Sequence, residues 1–382
     1  VLGLAMILFV WALRRVQSAE PATAPARPAP ASRWRRWAGV ALIVLSLGCM
    51  AGMWWRFSVA PPTDLGWALY MASMLLFGCA FIVMEWTPDR AWWRRQLAWL
   101  REHRWELVIL FVLVAPGAFV RLYGVDIFPF GVWYDESDNA VWARDILTNS
   151  SYRPLYVGST NLPAHFLYLI ALAFKWFGVS AGSLRLVTGL FGAGLIVVMW
   201  LLGRELGGKW VGLLAAALVT VSHWCINFSR LGMHGITTPF FAALAAYWLL
   251  RGLRTGSRTT LAFGGLTLGL GLCFYAPYRL FPFVIVALLL AKLVCERGFL
   301  KRGWLHVGIY VLASVVAFAP IGQYALTHPQ EFFGRTKQTS VFADKTPEEG
   351  MAALKSNIIR HVLMYNYEGD HNGRHNLPGE PM

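Results

Sequence analysis

Residues 183–206 read SLRLVTGLFGAGLIVVMWLLGREL, and no charged residue lies between Arg185 and Arg204. A helix needs roughly 20 mostly apolar residues to span the hydrocarbon core of a bilayer, so this run predicts a transmembrane helix over 184–203. Of the 382 residues, 57% are hydrophobic and 14% are charged, which lies outside the range of soluble globular domains. The sequence therefore predicts an all-α polytopic membrane protein.

Further apolar runs predict additional spans along the chain. They lie at 1–13, 38–55, 65–86, 105–124, 209–226, 235–250, 260–276, 280–295 and 304–325. The chain opens inside an apolar run without an initiator methionine and ends in a loop-like segment after Pro381. We therefore expect a fragment that is truncated at both ends.

The net charge of +14 follows the pattern of membrane loops and does not indicate a nucleic-acid partner. Arg and Lys cluster in short loops at 203–209, 251–258 and 296–302, which places these loops in the cytoplasm. The Trp- and Arg-rich segment 89–104 fits an anionic inner leaflet. These loops can all be cytoplasmic if the chain crosses the membrane once between residue 125 and the loop 203–209, and the span 184–203 provides that crossing. The apolar run 162–177 is thus predicted to lie in the outer interface without spanning the membrane.

An acidic stretch at 131–147, GVWYDESDNAVWARDIL, lies in the loop 125–183, which this orientation places outside. Ser137 or Asp138 is predicted to cap a short helix. Asp135 and Glu136 precede that cap, with no structural task visible in the sequence. Partial desolvation at the membrane edge would raise the pKa of such carboxylates toward the range of a general base. The alternative is a solvated acidic loop.

Arg185, Arg230 and Arg279 stand at the outer ends of predicted spans, where positive charge is otherwise avoided. Guanidinium groups hold phosphate by paired hydrogen bonds, although snorkelling to headgroups is the alternative. A carboxylate facing arginines that hold a departing phosphate suits inverting group transfer. This interpretation requires Asp135 and the arginines to converge on one cavity that opens toward lipid.

The order of these features resembles a known superfamily. An Asp135-Glu136 pair in the first large outer loop, a short helix, the segment NLPAHFLYLIALAFKWFG and then the 183–206 run are similar to the GT-C glycosyltransferases. The bacterial relatives of protein O-mannosyltransferases and aminoarabinose transferases are the branch it resembles. The resemblance covers 105–382.

The resemblance implies a GT-C-like helical bundle, a polyprenyl-phosphate sugar donor and transfer on the extracytoplasmic face. It implies Asp135 as the base, with Glu136 assisting the acceptor or a metal. Segments SRLGMHG and YAPYR match donor-site segments of such enzymes. Many relatives carry Pro-Pro with a nearby Lys where this chain has Leu162-Pro163-Ala164-His165, so the lysine contact is not carried over. The candidate substrate contacts are His165, His234, Tyr278, Arg374, His375 and Asn376.

The same interpretation divides the chain into additional helices at 1–104, a transmembrane catalytic module at 105–325 and an outer loop at 326–382. We expect a bacterial inner-membrane enzyme whose partners are a lipid-linked sugar donor, membrane lipids and an acceptor that the sequence does not define. No metal site is predicted from the histidine spacing, with a divalent cation at Asp135 and Glu136 as the alternative. A transporter or a non-catalytic accessory subunit is the rival function, and the low charge at the centres of the spans disfavours transport.

Overall fold

The computed structural model describes residues 32–86, 91–157, 160, 162–296, 298–364, 366–369 and 379–380. The predicted span at 1–13 lies outside these residues. So do the candidate contacts Arg374, His375 and Asn376.

The described chain is almost entirely helical. The N-terminal part contains α1 (Arg33–Val59), α2 (Asp64–Glu85), α3 (Trp92–Glu102) and α4 (Arg104–Leu122). The loop after α4 contains α5 (Tyr134–Thr148), the short antiparallel strands β1 (Tyr156–Val157) and β2 (Leu162–Pro163), and α6 (His165–Phe177). The rest comprises α7 (Ala181–Gly207), α8 (Lys209–Val221), α9 (His223–Arg230), α10 (Thr237–Thr255), α11 (Arg258–Leu272), α12 (Phe281–Cys295), α13 (Phe299–Thr327), α14 (Pro329–Thr339) and α15 (Pro347–Leu363).

Seven helices of the described chain are long and apolar enough to cross a membrane. They are Arg33–Val59, Asp64–Glu85, Arg104–Leu122, Ala181–Gly207, His234–Thr255, Ala276–Cys295 and Gly303–Thr327. The all-α, multi-pass architecture predicted from hydropathy is thereby confirmed. Helix α6 has 13 residues, or about 20 Å of helix, which is too short for a hydrocarbon core of about 30 Å.

Two predicted spans differ from the structure. The run 209–226 is not one helix: α8 and α9 meet at a bend of 58°, because the Ser222 side chain accepts a hydrogen bond from the Cys225 backbone N–H (3.3 Å) and starts a new helix. The run 260–276 is helical only as the 15-residue α11. That helix has about 23 Å of length and does not cross a bilayer by itself.

Helix α2 is joined to the later helices by buried and interfacial hydrogen bonds. Its Glu85 carboxylate accepts from the backbone N–H groups of Arg258 (2.8 Å) and Thr259 (2.9 Å), where it also faces the positive end of the α11 dipole. Its Tyr70 hydroxyl donates to the carbonyl oxygen of Ala317 (2.7 Å). The helices before residue 104 therefore pack as part of the same bundle.

Helices α11 and α13 touch along a row of glycines. A Cβ atom at Gly265 would lie 2.1 Å from the carbonyl oxygen of Tyr310 and 2.6 Å from Cβ of Ala313. A Cβ atom at Gly269 would lie 2.3 Å from the backbone carbonyl oxygen of Ser314. Small residues allow this approach in membrane helices, where packing drives association.

We expect Gly265→Ala to lower the free energy of unfolding by about 1–3 kcal/mol, because the added methyl group meets backbone that cannot move aside. Gly308→Ala, on α13, is the matched control: a Cβ atom there meets nothing within 4 Å. Thermal unfolding of both variants in the same detergent measures the difference, and equal midpoints would contradict the close contact.

Candidate functional site

Helix α5 begins earlier than predicted and carries the acidic pair inside its first turn. Its first residue is Tyr134 and its N-cap is Trp133, so neither Ser137 nor Asp138 caps it. The reason is Glu136, whose Oε2 accepts from the Trp133 backbone N–H (3.1 Å) as the third helical residue. Asp135 is half-buried at the second position, where the helix dipole stabilises its negative charge.

Glu136 forms a buried ion pair with Arg185. Both side chains are 1% exposed, and the guanidinium binds the carboxylate with Nε–Oε1 at 2.9 Å and Nη2–Oε2 at 3.0 Å. Oε1 also accepts from the Gly232 backbone N–H (2.6 Å). With the bond from Trp133, each carboxylate oxygen has two donors. This differs from the expectation that Glu136 contacts an acceptor or a metal, because its lone pairs are already used.

Arg185 uses its remaining N–H groups on the loop before α5. Nη1 donates to the carbonyl oxygens of Val125 (3.1 Å) and Pro129 (2.9 Å), and Nη2 donates to that of Gly131 (2.6 Å). A guanidinium has five N–H groups, and these bonds together with the pair to Glu136 engage all of them. Arg185 therefore holds the loop 125–131, which differs from its expected contact with donor phosphate.

The segment SRLGMHG is fixed against α5 through Gly232. Asn139 Nδ2 donates to the Gly232 carbonyl oxygen (3.0 Å), and Glu136 accepts from the N–H of the same glycine. Residues three apart share a helix face, so two α5 side chains bind both backbone polar groups of one residue, Gly232. A Cβ atom at Gly232 would lie 2.4 Å from Cγ of Leu184, which leaves space for glycine alone.

Arg230 also binds backbone. It donates to carbonyl oxygens at the C-terminal end of α4 and just beyond it, those of Val120, Tyr123 (3.0 Å), Gly124 (3.4 Å) and Phe128 (3.0 Å). Carbonyl groups in the last turn of a helix lack intrahelical partners, and Val120 lies in that turn of α4. Arg230 thus caps α4 instead of pointing at a headgroup.

Arg279 retains more of its donor capacity. Nη1 donates to the Phe332 carbonyl oxygen (2.7 Å) and Nη2 to the Tyr156 hydroxyl (3.1 Å). The guanidinium carbon lies 3.7 Å from the centroid of the Phe332 ring. Its Nε is buried and has no hydrogen-bond partner among the described residues. Of the three arginines predicted to bind phosphate, this one has unused N–H groups.

The candidate histidines are both buried in aromatic surroundings. His234 follows Gly232 by two residues, lies 4.4 Å from the Phe166 ring centroid and stacks on Tyr275 at 5.6 Å. Its Nε2 has no partner in the described part of the chain, and neither has the buried hydroxyl of Tyr278. His165 lies 5.0 Å from the ring centroid of Trp67.

The structure brings some of the predicted site residues together, while the convergence of Asp135 and the arginines on one cavity stays a prediction. Arg185 meets the acidic pair through Glu136, and Gly232 brings His234 toward the same end of α5. Arg279 joins the outer loop through Tyr156. The residues described here contain no group of three or more His, Cys, Asp or Glu side chains that could hold a metal ion.

Arg121 is a residue whose role the sequence did not reveal. It is fully buried and donates to the carbonyl oxygens of Gly117 (2.9 Å), Val219 (2.6 Å) and Thr220 (3.3 Å). Breaking a helix inside a membrane leaves backbone carbonyl groups without hydrogen-bond donors. Arg121 supplies such donors where α8 ends. The sequence feature that could have indicated this role is the position of a charged residue inside the predicted span 105–124.

Comparison with known proteins supports the resemblance stated from the sequence. Residues 161–322 match a family model described as dolichyl-phosphate-mannose-protein mannosyltransferase, over less than half of the chain. The predicted resemblance to polyprenyl-phosphate-dependent glycosyltransferases is thereby confirmed. The matched residues begin after α5, so the acidic pair lies outside them.

No curated protein sequence matches the chain. Among solved structures, the chain is similar to the archaeal oligosaccharyltransferase AglB from Archaeoglobus fulgidus, in complex with an inhibitory peptide and a dolichol-phosphate. The identity is 16% and the TM-score is 0.46. The similarity covers 70% of this chain and 38% of that one, so the chain spans well under half of the archaeal enzyme's length.

We expect Arg185→Leu to lower the free energy of unfolding by about 3–5 kcal/mol, because it leaves the buried Glu136 carboxylate without its counter-charge. Arg144→Leu is the control: its pair with Asp145 is 53% and 41% exposed, and an exposed pair contributes about 0–1 kcal/mol. Denaturant or thermal unfolding in detergent compares them. Similar stabilities would contradict the assignment of Arg185 as the holder of the loop.

Proposed function

We propose that the chain is a membrane glycosyltransferase. It transfers a sugar from a polyprenyl-phosphate donor to a hydroxyl-bearing acceptor on the extracytoplasmic face of a bacterial inner membrane, with inversion at the sugar. The observation that carries the proposal is the position of Asp135, half-buried in the first turn of α5 beside an immobilised Glu136. The family match over 161–322 supports the donor class.

Asp135 is the general base in this proposal. A base must be held in place relative to the acceptor proton, and Glu136 provides that constraint because it anchors the first turn of α5 to Arg185 and Gly232. Asp135 takes the proton of the acceptor hydroxyl. The acceptor oxygen then attacks the anomeric carbon from the face opposite the phosphate, which leaves with the bonding electrons, and the configuration inverts.

Arg279 is the proposed contact for the departing phosphate. It keeps unused N–H groups beside the ring of Phe332, and positive charge stabilises the negative charge that develops on the leaving group. We assign Arg185 and Arg230 to holding the outer loop and Glu136 to positioning. His234 is a further candidate contact, because its buried Nε2 has no hydrogen-bond partner among the described residues.

A transporter is the second candidate, since broken helices line the sites of many transporters. The bend between α8 and α9 is the feature that favours it. Arg121 donates to the carbonyl oxygens of Val219 and Thr220 at that break, which gives the break a structural explanation. The enzyme is therefore the better-supported function.

We expect Asp135→Asn to lower the transfer rate by about 10²–10⁴-fold, because an amide cannot accept the acceptor proton. The assay follows release of polyprenyl phosphate from polyprenyl-phosphate hexoses and pentoses, with the chain in proteoliposomes that contain a membrane extract as acceptor source. Asp138→Asn is the matched control, being exposed in the next turn. Near-normal turnover in a folded Asp135→Asn protein would refute the mechanism.

Arg279→Gln is expected to lower transfer by about 10²-fold, as removing a single donor to a developing oxyanion does in other enzymes. Arg254→Gln serves as control, because this arginine pairs with Glu205 at the opposite ends of the helices. Unchanged kinetics in Arg279→Gln would move the phosphate contact elsewhere while leaving the role of Asp135 intact.

A further inference from the structure

A cavity of about 860 Å³ lies beside the candidate site, between α2, α5, α6, α7, α10 and α11. Ligand pockets are usually about 300–1,000 Å³, so its volume suits a sizeable apolar ligand. The side chains of Met71, Leu147 and Leu172 line it and are also exposed on the membrane-facing surface. Asp135, Glu136, Arg185 and Arg279 do not line it. The cavity therefore opens sideways toward lipid and is separate from the acidic pair.

Charge is confined to one end of the cavity. Asp64, at the start of α2, pairs with Arg153, whose Nη1 also donates to three backbone carbonyl oxygens. Lys175 lines the cavity as well and is exposed. No described carboxylate lies within ion-pair distance of it. The opposite end of α2 binds the basic loop 251–258 through Glu85, so the Asp64 end is the outer one under the predicted orientation.

A neutral polar group lies beneath this charged rim. His165 is 7% exposed, lines the cavity, and both its ring nitrogens are without a hydrogen-bond partner among the described residues. Burial lowers the pKa of His165 to about 3, so the ring is neutral at physiological pH and has one N–H donor and one acceptor. An unpaired buried group of this kind costs free energy, and a ligand atom that accepts a hydrogen bond would remove that cost.

The remaining walls are apolar and one leaflet deep. Along α2 the lining runs from Asp64 to Met74, ten residues or about 15 Å of helix, which is half of a hydrocarbon core of about 30 Å. Phe241, Leu270 and Phe274 complete the apolar lining. The cavity thus combines charged residues, a neutral hydrogen-bonding group and hydrocarbon walls.

We propose that this cavity binds an anionic glycerophospholipid of the outer leaflet. Its acyl chain lies along α2, its ester carbonyl accepts a hydrogen bond from His165 and its phosphate lies near Lys175. A glycerophospholipid has an ester carbonyl between phosphate and chain, and its chain spans one leaflet. In a polyprenyl phosphate the hydrocarbon follows directly after the phosphate, so no acceptor lies between the phosphate and the chain.

The bound lipid has a consequence for the helix that carries Asp135. Ile146 and Leu147, in the last turn of α5, line the cavity. The Glu136 cluster fixes the first turn of α5, and the lipid would support its last turn against α2. His165 is also a candidate substrate contact of the proposed sugar transfer, so the test of this site measures lipid binding instead of turnover.

The experiment is native mass spectrometry of the delipidated chain in detergent, titrated with phosphatidylglycerol. Leu172→Trp fills the mouth of the cavity and is expected to lower the affinity at least tenfold. Leu290→Trp is the matched control, on the outward surface of α12, where Leu290 is 54% exposed. Equal binding by the two variants would overturn the proposal.

Lipid chemistry tests the individual contacts in the unchanged protein. An ether-linked analogue of phosphatidylglycerol, which lacks the carbonyl, is expected to bind roughly fivefold more weakly, the value of one hydrogen bond. His165→Phe should remove that difference. Lys175→Gln should reduce the preference for phosphatidylglycerol over phosphatidylcholine. Equal affinity for ester and ether lipids would overturn the carbonyl contact, and displacement by polyprenyl phosphate at lower concentration would assign the cavity to the sugar donor.

Discussion

The buried pair of Glu136 and Arg185 is the constraint on which the end of the bundle around α5 depends. Removing two charges from water is costly, and a buried pair is stable only when every remaining donor and acceptor is used. Here the carboxylate receives bonds from Arg185, Gly232 and Trp133, and the guanidinium uses its other N–H groups on loop carbonyls. One charge pair thereby joins α5, α7, the loop 125–131 and the segment after α9.

Arginine has a recurring structural use in this chain. Arg121, Arg185 and Arg230 each bind several carbonyl oxygens where a helix ends or breaks. A membrane offers no water to such carbonyl groups, so the protein must supply the donors itself. An arginine that binds backbone at the end of a span and an arginine that binds phosphate there therefore look the same in the sequence. Arg279 keeps a buried Nε that has no hydrogen-bond partner among the described residues.

Helix α2 lies outside the matched region 161–322, yet it takes part in the packing of that region. Glu85 caps α11 and Tyr70 binds the backbone of α13. The same helix forms one wall of the cavity beside α5 and α6. The division at residue 104, predicted from the chain's organisation, thus does not mark a loose junction among the described helices. The early helices and the glycosyltransferase-like helices share one set of contacts.

The sequence alone determined the approximate positions of the seven long apolar helices of the described chain, because hydropathy and bilayer thickness act on each segment separately. It also singled out the acidic pair and the arginines. The tertiary structure decided their hydrogen-bond partners, since these partners are far apart in the chain: Glu136 and Arg185 are separated by 49 positions and Glu136 and Gly232 by 96. The same holds for the start of α5, where bonds to Glu136 replaced the cap predicted at Ser137 or Asp138. Such pairings leave no periodic pattern in one sequence, because they depend on which helix ends the fold brings together.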